Sequence, residues 1–210
     1  MHRRKRKSFL TTALRLAETL AIIRMNIENF ITNRKSIAKL TAEMTQIESD
    51  GWETKYIDQR DQSKWIKTQL DSEYHGGGNP ILFRLPKPTQ TELIKILTQS
   101  TDLNQISAIS CLLKESEFDE SDSHHEYREE LIIELERIIN DKDFKWNRFE
   151  KERFTTIIYD SDLNFPHNQR ETLGKKYSEV ESDYQYYKNI AERAEKIITI
   201  ANTGNRCTSH

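Results

Sequence analysis

Residues 52–86 read WETKYIDQRDQSKWIKTQLDSEYHGGGNPILFRLP, and the blocks at 52–58, 64–70 and 81–86 alternate large apolar with polar side chains. A period of two sends successive side chains to opposite faces of a sheet. The blocks are separated by the polar run 59–63 and by His75-Gly76-Gly77-Gly78-Asn79-Pro80, which are turn-forming compositions. The reading is two or three short antiparallel strands. Nowhere else between residues 1 and 210 does this pattern recur, so the expected fold is α+β and predominantly helical.

Helical spacing takes over on both sides. Residues 8–49 contain no Gly or Pro; Leu16, Ile23, Phe30, Ile37 and Met44 stand seven apart, with Leu20, Ile27, Leu40 and Ile47 in the neighbouring seam. A seven-residue apolar repeat keeps one stripe facing a partner as a helix winds. It predicts one long helix, or two with a break near Asn33, stopped at Asp50-Gly51. At the other end Leu173, Tyr177, Val180, Tyr184, Tyr187, Ala191, Ala194, Ile198 and Ala201 alternate four and three apart. They predict a second long heptad helix, weakest at Gly174 and ending at Asn202-Thr203-Gly204. The two end helices are expected to form a hairpin. The alternative is a homodimer in which each helix pairs with its copy, at an association entropy that a hairpin avoids.

Shorter helices fill residues 89–160. Leu93, Ile94 and Leu97 mark the first, after Pro88-Thr89. Leu103, Ile106, Ile109, Cys111, Leu112 and Leu113 mark the second, with Asp102 as N-cap. Ser123-His124-His125-Glu126 fits a capping box ahead of a third, whose core face is Tyr127, Leu131, Leu135 and Ile138. Phe144, Trp146, Phe149, Phe154, Ile157 and Ile158 predict a fourth over 143–159. The expected organisation is a basic leader with a long helix (1–50), a small β-rich segment (51–88), a helical cluster (89–160) and a final helix with a polar tail (161–210).

The 210 residues are 35% hydrophobic and 31% charged, and the mean hydropathy of −0.81 is more polar than an average globular domain. The 32 basic and 34 acidic residues leave a net charge of −2, which points to neither nucleic acid nor an acidic substrate. Cys111 and Cys207 do not make a disulfide framework and fit a reducing compartment. The apolar stretch 9–25 is interrupted by Arg15, Glu18 and Arg24 and cannot span a bilayer. The leader His2-Arg3-Arg4-Lys5-Arg6-Lys7 lacks the apolar region of a signal peptide. Only Glu18 and Glu28 are acidic in the first 40 residues, which keeps an organellar transit peptide as a rival. A cytoplasmic protein is the simpler expectation.

Catalytic and cofactor signatures find little support. Gly76-Gly77-Gly78 would need a following helix N-terminus to cradle phosphate, and Asn79-Pro80 with a strand-like block follows instead. His75, His124, His125 and Glu126 lack metal-ligand spacing, because adjacent histidines on a helix point about 100° apart. Neither Cys has a His and an orienting acid at recognisable spacing. The expectation is no enzyme, no metal and no cofactor; a coiled-coil homodimeric interaction or scaffold protein is one alternative, and an enzyme using His75 beside the glycines is a weaker one.

Charge layout says more than total charge. Over residues 115–143 twelve acids face Arg128, Arg137 and Lys142, nine net negative charges. Such a field attracts a basic partner and raises its association rate, the alternative being an ordinary solvated helix face. The partner-binding candidates are Glu115, Glu117, Asp119, Glu120, Asp122, Glu126, Glu129 and Glu130.

The segment 52–85 resembles the small bacterial immunity proteins of polymorphic toxin systems, of the immunity protein 27 type. The matching positions are Trp52, Tyr56, Asp58, Trp65, Ser72, Glu73, His75, Gly76, Gly77, Gly78, Pro80, Leu82 and Arg84, and the H-G-G-G-x-P element is the most specific part. The long end helices are not part of the pattern and read as a fused module. The resemblance implies a non-catalytic protein that binds the toxin domain made beside it, often a nuclease, before that toxin acts on the producing cell. Trp52, Trp65 and Tyr74 would then either anchor the small sheet or reach the partner, with the core the favoured place for all three.

Overall fold

Asn33 decides how the first helix begins. Its side-chain oxygen accepts hydrogen bonds from the backbone N–H of Lys35 and Ser36, both at 3.0 Å, which caps α1 (Arg34–Ala42). In the computed structural model, which describes residues 29–70, 79–117 and 127–203, α1 is flanked by two strands, β1 (Phe30–Ile31) and β2 (Thr45–Ser49). The long helix expected up to residue 49 is therefore absent from residue 30 onward, and its part over 8–28 lies outside the described residues. Phe30, Ile37 and Met44 are buried as their spacing requires. The spacing is met by three different conformations, strand, helix and the turn after it. Thr45, β-branched, then pairs with Ile57 on the next strand, while Ile47 falls at the register shift between Gln46 and Glu48 and turns outward instead of sitting in an apolar seam.

The three blocks expected as strands are strands: β3 (Thr54–Ile57), β4 (Lys64–Leu70) and β5 (Asn79–Arg84). With β1 and β2 they form one antiparallel sheet in the order β1-β5-β4-β3-β2. Tyr56 faces Trp65 across β3 and β4, and Leu82 faces Lys67 and Ile31. On that face Tyr56, Trp65 and Leu82 pack with Ile37 and Met44, and Ile31 and Leu40 close the edges of the cluster. The opposite face carries Ile66, Phe83 and Phe30, also buried, with the two phenyl rings stacked at 6.5 Å. Met1–Glu92 and Leu93–His210 form two compact units, and this sheet with its helix makes up the described part of the first.

The second unit opens within α2 (Gln90–Gln99), whose first turn is held by a reciprocal cap between Thr89 and Glu92. Asp102 caps α3 (Leu103–Ser116) as expected, accepting Asn104 N–H at 2.9 Å. Next come α4 (Tyr127–Ile139), with Tyr127, Leu131 and Leu135 fully buried, and α5 (Arg148–Asp160). The fourth helix starts later than its aromatic spacing predicts, because Asn147 caps it by accepting Glu150 N–H at 2.9 Å. Phe144 and Trp146 instead fold back onto Phe154, the first tilted at 5.7 Å and the second edge-on at 5.0 Å.

The last helix, α6 (Tyr177–Thr203), packs on α4 and α5. Gly174 at φ +80° ends the preceding turn, and Glu179 reaches back to Lys176 N–H at 2.7 Å to start the helix. Its buried line runs through Tyr187, Ile190, Ala194, Ile197 and Ala201, joined by Asp183. The heptad stripe expected from Leu173 agrees with it only from Tyr187 on: Leu173 and Tyr177 are 88% and 82% exposed. Leu173 precedes the helix, in the turn at Gly174, and a straight helix drifts about 20° per heptad from a strict seven-residue repeat, which carries its first positions off the buried side. The capping box at 123–126 lies outside the described residues.

Candidate partner-binding site

The turn from β3 to β4 shows what the motif residues do. Asp58 N–H donates to Ser63 O at 2.9 Å and Gln62 N–H to Asp58 O at 2.8 Å, with Gln62 at φ +62°. The Asp58 carboxylate accepts Arg60 N–H and Nε–H, both at 2.9 Å, and Arg60 Nη2 at 2.6 Å. The next link is Asp61, which accepts Ser63 N–H at 2.9 Å and is paired with Arg84 at 3.0 Å. Ser63 Oγ in turn accepts the indole N–H of Trp65 at 2.8 Å, so Trp65 enters the core with its polar atom satisfied. Asp58, Trp65, Tyr56, Leu82 and Arg84 are therefore framework residues, and Pro80 sits on β5 opposite Gln69. Ser72, Glu73, His75, Gly76, Gly77 and Gly78 lie outside the described residues, as does Tyr74.

Asp58 gives this turn a pH dependence. Hydrogen bonds from the Arg60 side chain and backbone hold its carboxyl at about 2, against an ordinary value of 3.8. A depressed folded-state value means the stabilisation is full above 3.8 and disappears as pH falls through about 2. Acid titration of the sheet's unfolding should show wild type and Asp58→Asn well separated above pH 4 and converging toward pH 2. A gap that stays constant across that window would contradict the assignment.

Trp52 is the motif aromatic that does not enter the core. It is 62% exposed on the turn between β2 and β3. Asp50 Oδ1 accepts the N–H of Trp52 at 2.9 Å and of Glu53 at 2.7 Å, and Asp50 N–H donates to Glu53 O at 3.2 Å. Those amides hold the Asp50 carboxyl below its ordinary range. Gly51 at φ +99° supplies the one left-handed residue the turn needs. Ile47, 50% exposed on β2, is the other large apolar side chain of residues 32–86 that faces solvent among the described residues. Its exposure was not legible, because its spacing placed it in a helix seam.

The acidic stretch is less open than its composition suggests. Glu117 accepts Arg128 Nε at 3.0 Å and Nη2 at 2.9 Å, together with Tyr187 O–H at 3.0 Å. Arg128 is 1% exposed and also donates to the carbonyl of Asp162. Glu117 is thus an internal counter-ion and does not belong to the outer acidic face. Glu129 and Glu136 both bind Arg193 of α6, at 2.8 and 2.7 Å. Glu115 and Glu130 remain on the described α3 and α4; Asp119, Glu120, Asp122 and Glu126 lie outside the described residues. Among the described residues no group of three His, Cys, Asp or Glu could hold a metal ion, and no helix is long and apolar enough to cross a membrane.

Among the described residues of the first unit, an antiparallel sheet carries one helix on one face, and the polar motif residues Asp58 and Arg84 serve the β3–β4 turn. Residues 32–86 match the family described as Immunity protein 27. The match extends over α1 and β2 as well as the three strands, so this part of the chain belongs with the immunity-like segment and is not a fused module. No curated protein and no solved structure matches the chain.

Proposed function

We propose that this chain is an immunity protein, one that binds the toxin domain made beside it and blocks that toxin by occupancy, without chemistry of its own. The observation that carries the reading is that residues 32–86 are similar to Immunity protein 27 and that their described residues supply a helix and four strands around the core of Ile37, Met44, Tyr56, Trp65 and Leu82. A nuclease suits the acidic charge of residues 115–143, since a nuclease surface made for nucleic acid is basic and would be steered toward it. The partner is met in the cytoplasm of the producing cell.

The test uses the C-terminal toxin domain encoded next to this chain, inactivated for purification and active for the cell assay. A stoichiometric complex by light scattering and survival of cells expressing both are expected. Absence of both the complex and the protection would overturn the reading. The same run weighs the chain alone. A mass near 24.9 kDa is the monomer, and about twice that is the homodimer which the exposed Leu173 and Tyr177 would favour.

A further inference from the structure

Among the described residues of the segment similar to Immunity protein 27, most large apolar side chains are buried or half-buried. Ile37, Met44, Tyr56, Trp65 and Leu82 fill the core, and Ile66, Leu70, Ile81 and Phe83 are buried in the sheet. Trp52 and Ile47 are the exceptions among its described residues. Both stand at the same side of the sheet, one on its edge strand β2 and one on the turn that follows. The acidic helices at 115–143 lie outside the matched segment.

The turn is built to present the indole. Two backbone amides on Asp50 and the return bond to Glu53 hold the loop before any partner arrives, so seating Trp52 orders little that is not already ordered. The edge beside it is poor for strand addition. The register between β2 and β3 slips between Gln46 and Glu48, a bulge that interrupts the straight ladder another strand would need. Contact there is therefore made by side chains. Between residues 45 and 54 Glu48, Asp50 and Glu53 are acidic and there is no basic residue, while Lys55 is committed to Glu48 at 2.8 Å. A partner surface that accepts this tip is apolar at its centre and basic at its rim.

We propose that the β2–β3 turn is the seat of the toxin, with Trp52 inserted into an apolar cleft bordered by basic groups and Ile47 packed at its margin. This rests on the immunity reading and names its contact surface. The acidic residues of 115–143 then act at a distance, on the rate of encounter.

The experiment measures binding of the inactivated neighbouring toxin domain to the full chain, its Trp52→Ala and Ile47→Lys variants, and a Glu115→Lys/Glu130→Lys variant. Trp52→Ala should weaken the complex by at least about 30-fold, mainly through faster dissociation, because a central Trp is the kind of residue that dominates an interface. Its melting temperature should match wild type, since the side chain is in solvent. Ile47→Lys should weaken binding as well, and the double charge reversal should slow association and flatten its salt dependence. Unchanged affinity in Trp52→Ala beside a tight wild-type complex overturns the seat and leaves the immunity reading standing. Failure of the wild-type complex overturns both. If Trp52→Ala abolished self-association while toxin binding stayed intact, the turn would belong to a second copy, and the proposal would fall.

Discussion

Replacing Arg128 by Ala should destabilise the helical unit by about 3–5 kcal/mol, the range seen when one partner of a buried ion pair is removed. Arg128 is among the largest fully buried side chains and Glu117 is its carboxylate. Without the guanidinium, the partly buried Glu117 carboxylate loses its counter-ion, and the Asp162 carbonyl loses a donor. The cation also lies over the rings of Tyr127 and Tyr187, at 5.3 and 5.0 Å, so packing is lost along with charge. Urea unfolding followed by helical signal should show a clear fall in midpoint with little change in slope. Combining Arg128→Met with Glu117→Gln should recover part of the loss, since the stranded charge is gone. A single-variant loss below about 1 kcal/mol would mean that water reaches Glu117 and that the pair is effectively a surface one.

The second large effect belongs to the sheet. Trp65→Ala should cost about 3–5 kcal/mol, as for other large aromatic side chains deleted from a core. The ring belongs to one buried cluster with Ile37, Met44, Tyr56 and Leu82, and its N–H donates to Ser63 Oγ in the turn. Hydrogen exchange is the right readout, because it reports the amides of β3 and β4 separately from the helices of the second unit. Protection in those strands should collapse while α4 and α5 keep theirs. Trp65→Phe should lose much less, since it keeps most of the apolar bulk and gives up one hydrogen bond worth about 0.5–1.5 kcal/mol. Equal exchange in wild type and Trp65→Ala would show that the cluster around α1 does not hold the sheet together.

These two residues also show what was legible beforehand. Trp65 lies in a strand whose alternation predicts both its conformation and its burial, and β3, β4 and β5 follow from the same signal. Asp102 could be read as a cap from its own identity and position. Residues 30–49 could not be assigned from periodicity, because the seven-residue spacing of Phe30, Ile37 and Met44 reports which residues are buried and is silent about the backbone between them. The alternative of a break near Asn33 is the one the structure meets, since Asn33 is the N-cap of a new helix; the two strands on either side of that helix are what the spacing missed. The acidic stretch was legible as composition, yet the partner of Glu129 is Arg193, 64 residues away, and no local pattern announces such a pairing. Trp52 carries the same sequence signal as Trp65, and only the turn that holds it out distinguishes them.

Tyr127 and Arg128 are neighbours, and both reach across 34 residues to the same bend, one to the carbonyl of Ser161 and the other to that of Asp162. Bringing those distant points together the first time exacts the loop-closure entropy; the second fastening is then nearly free of it. The start of one helix and the finish of another are thereby riveted side by side, and whichever rivet slips first leaves its twin holding the join until both can close again.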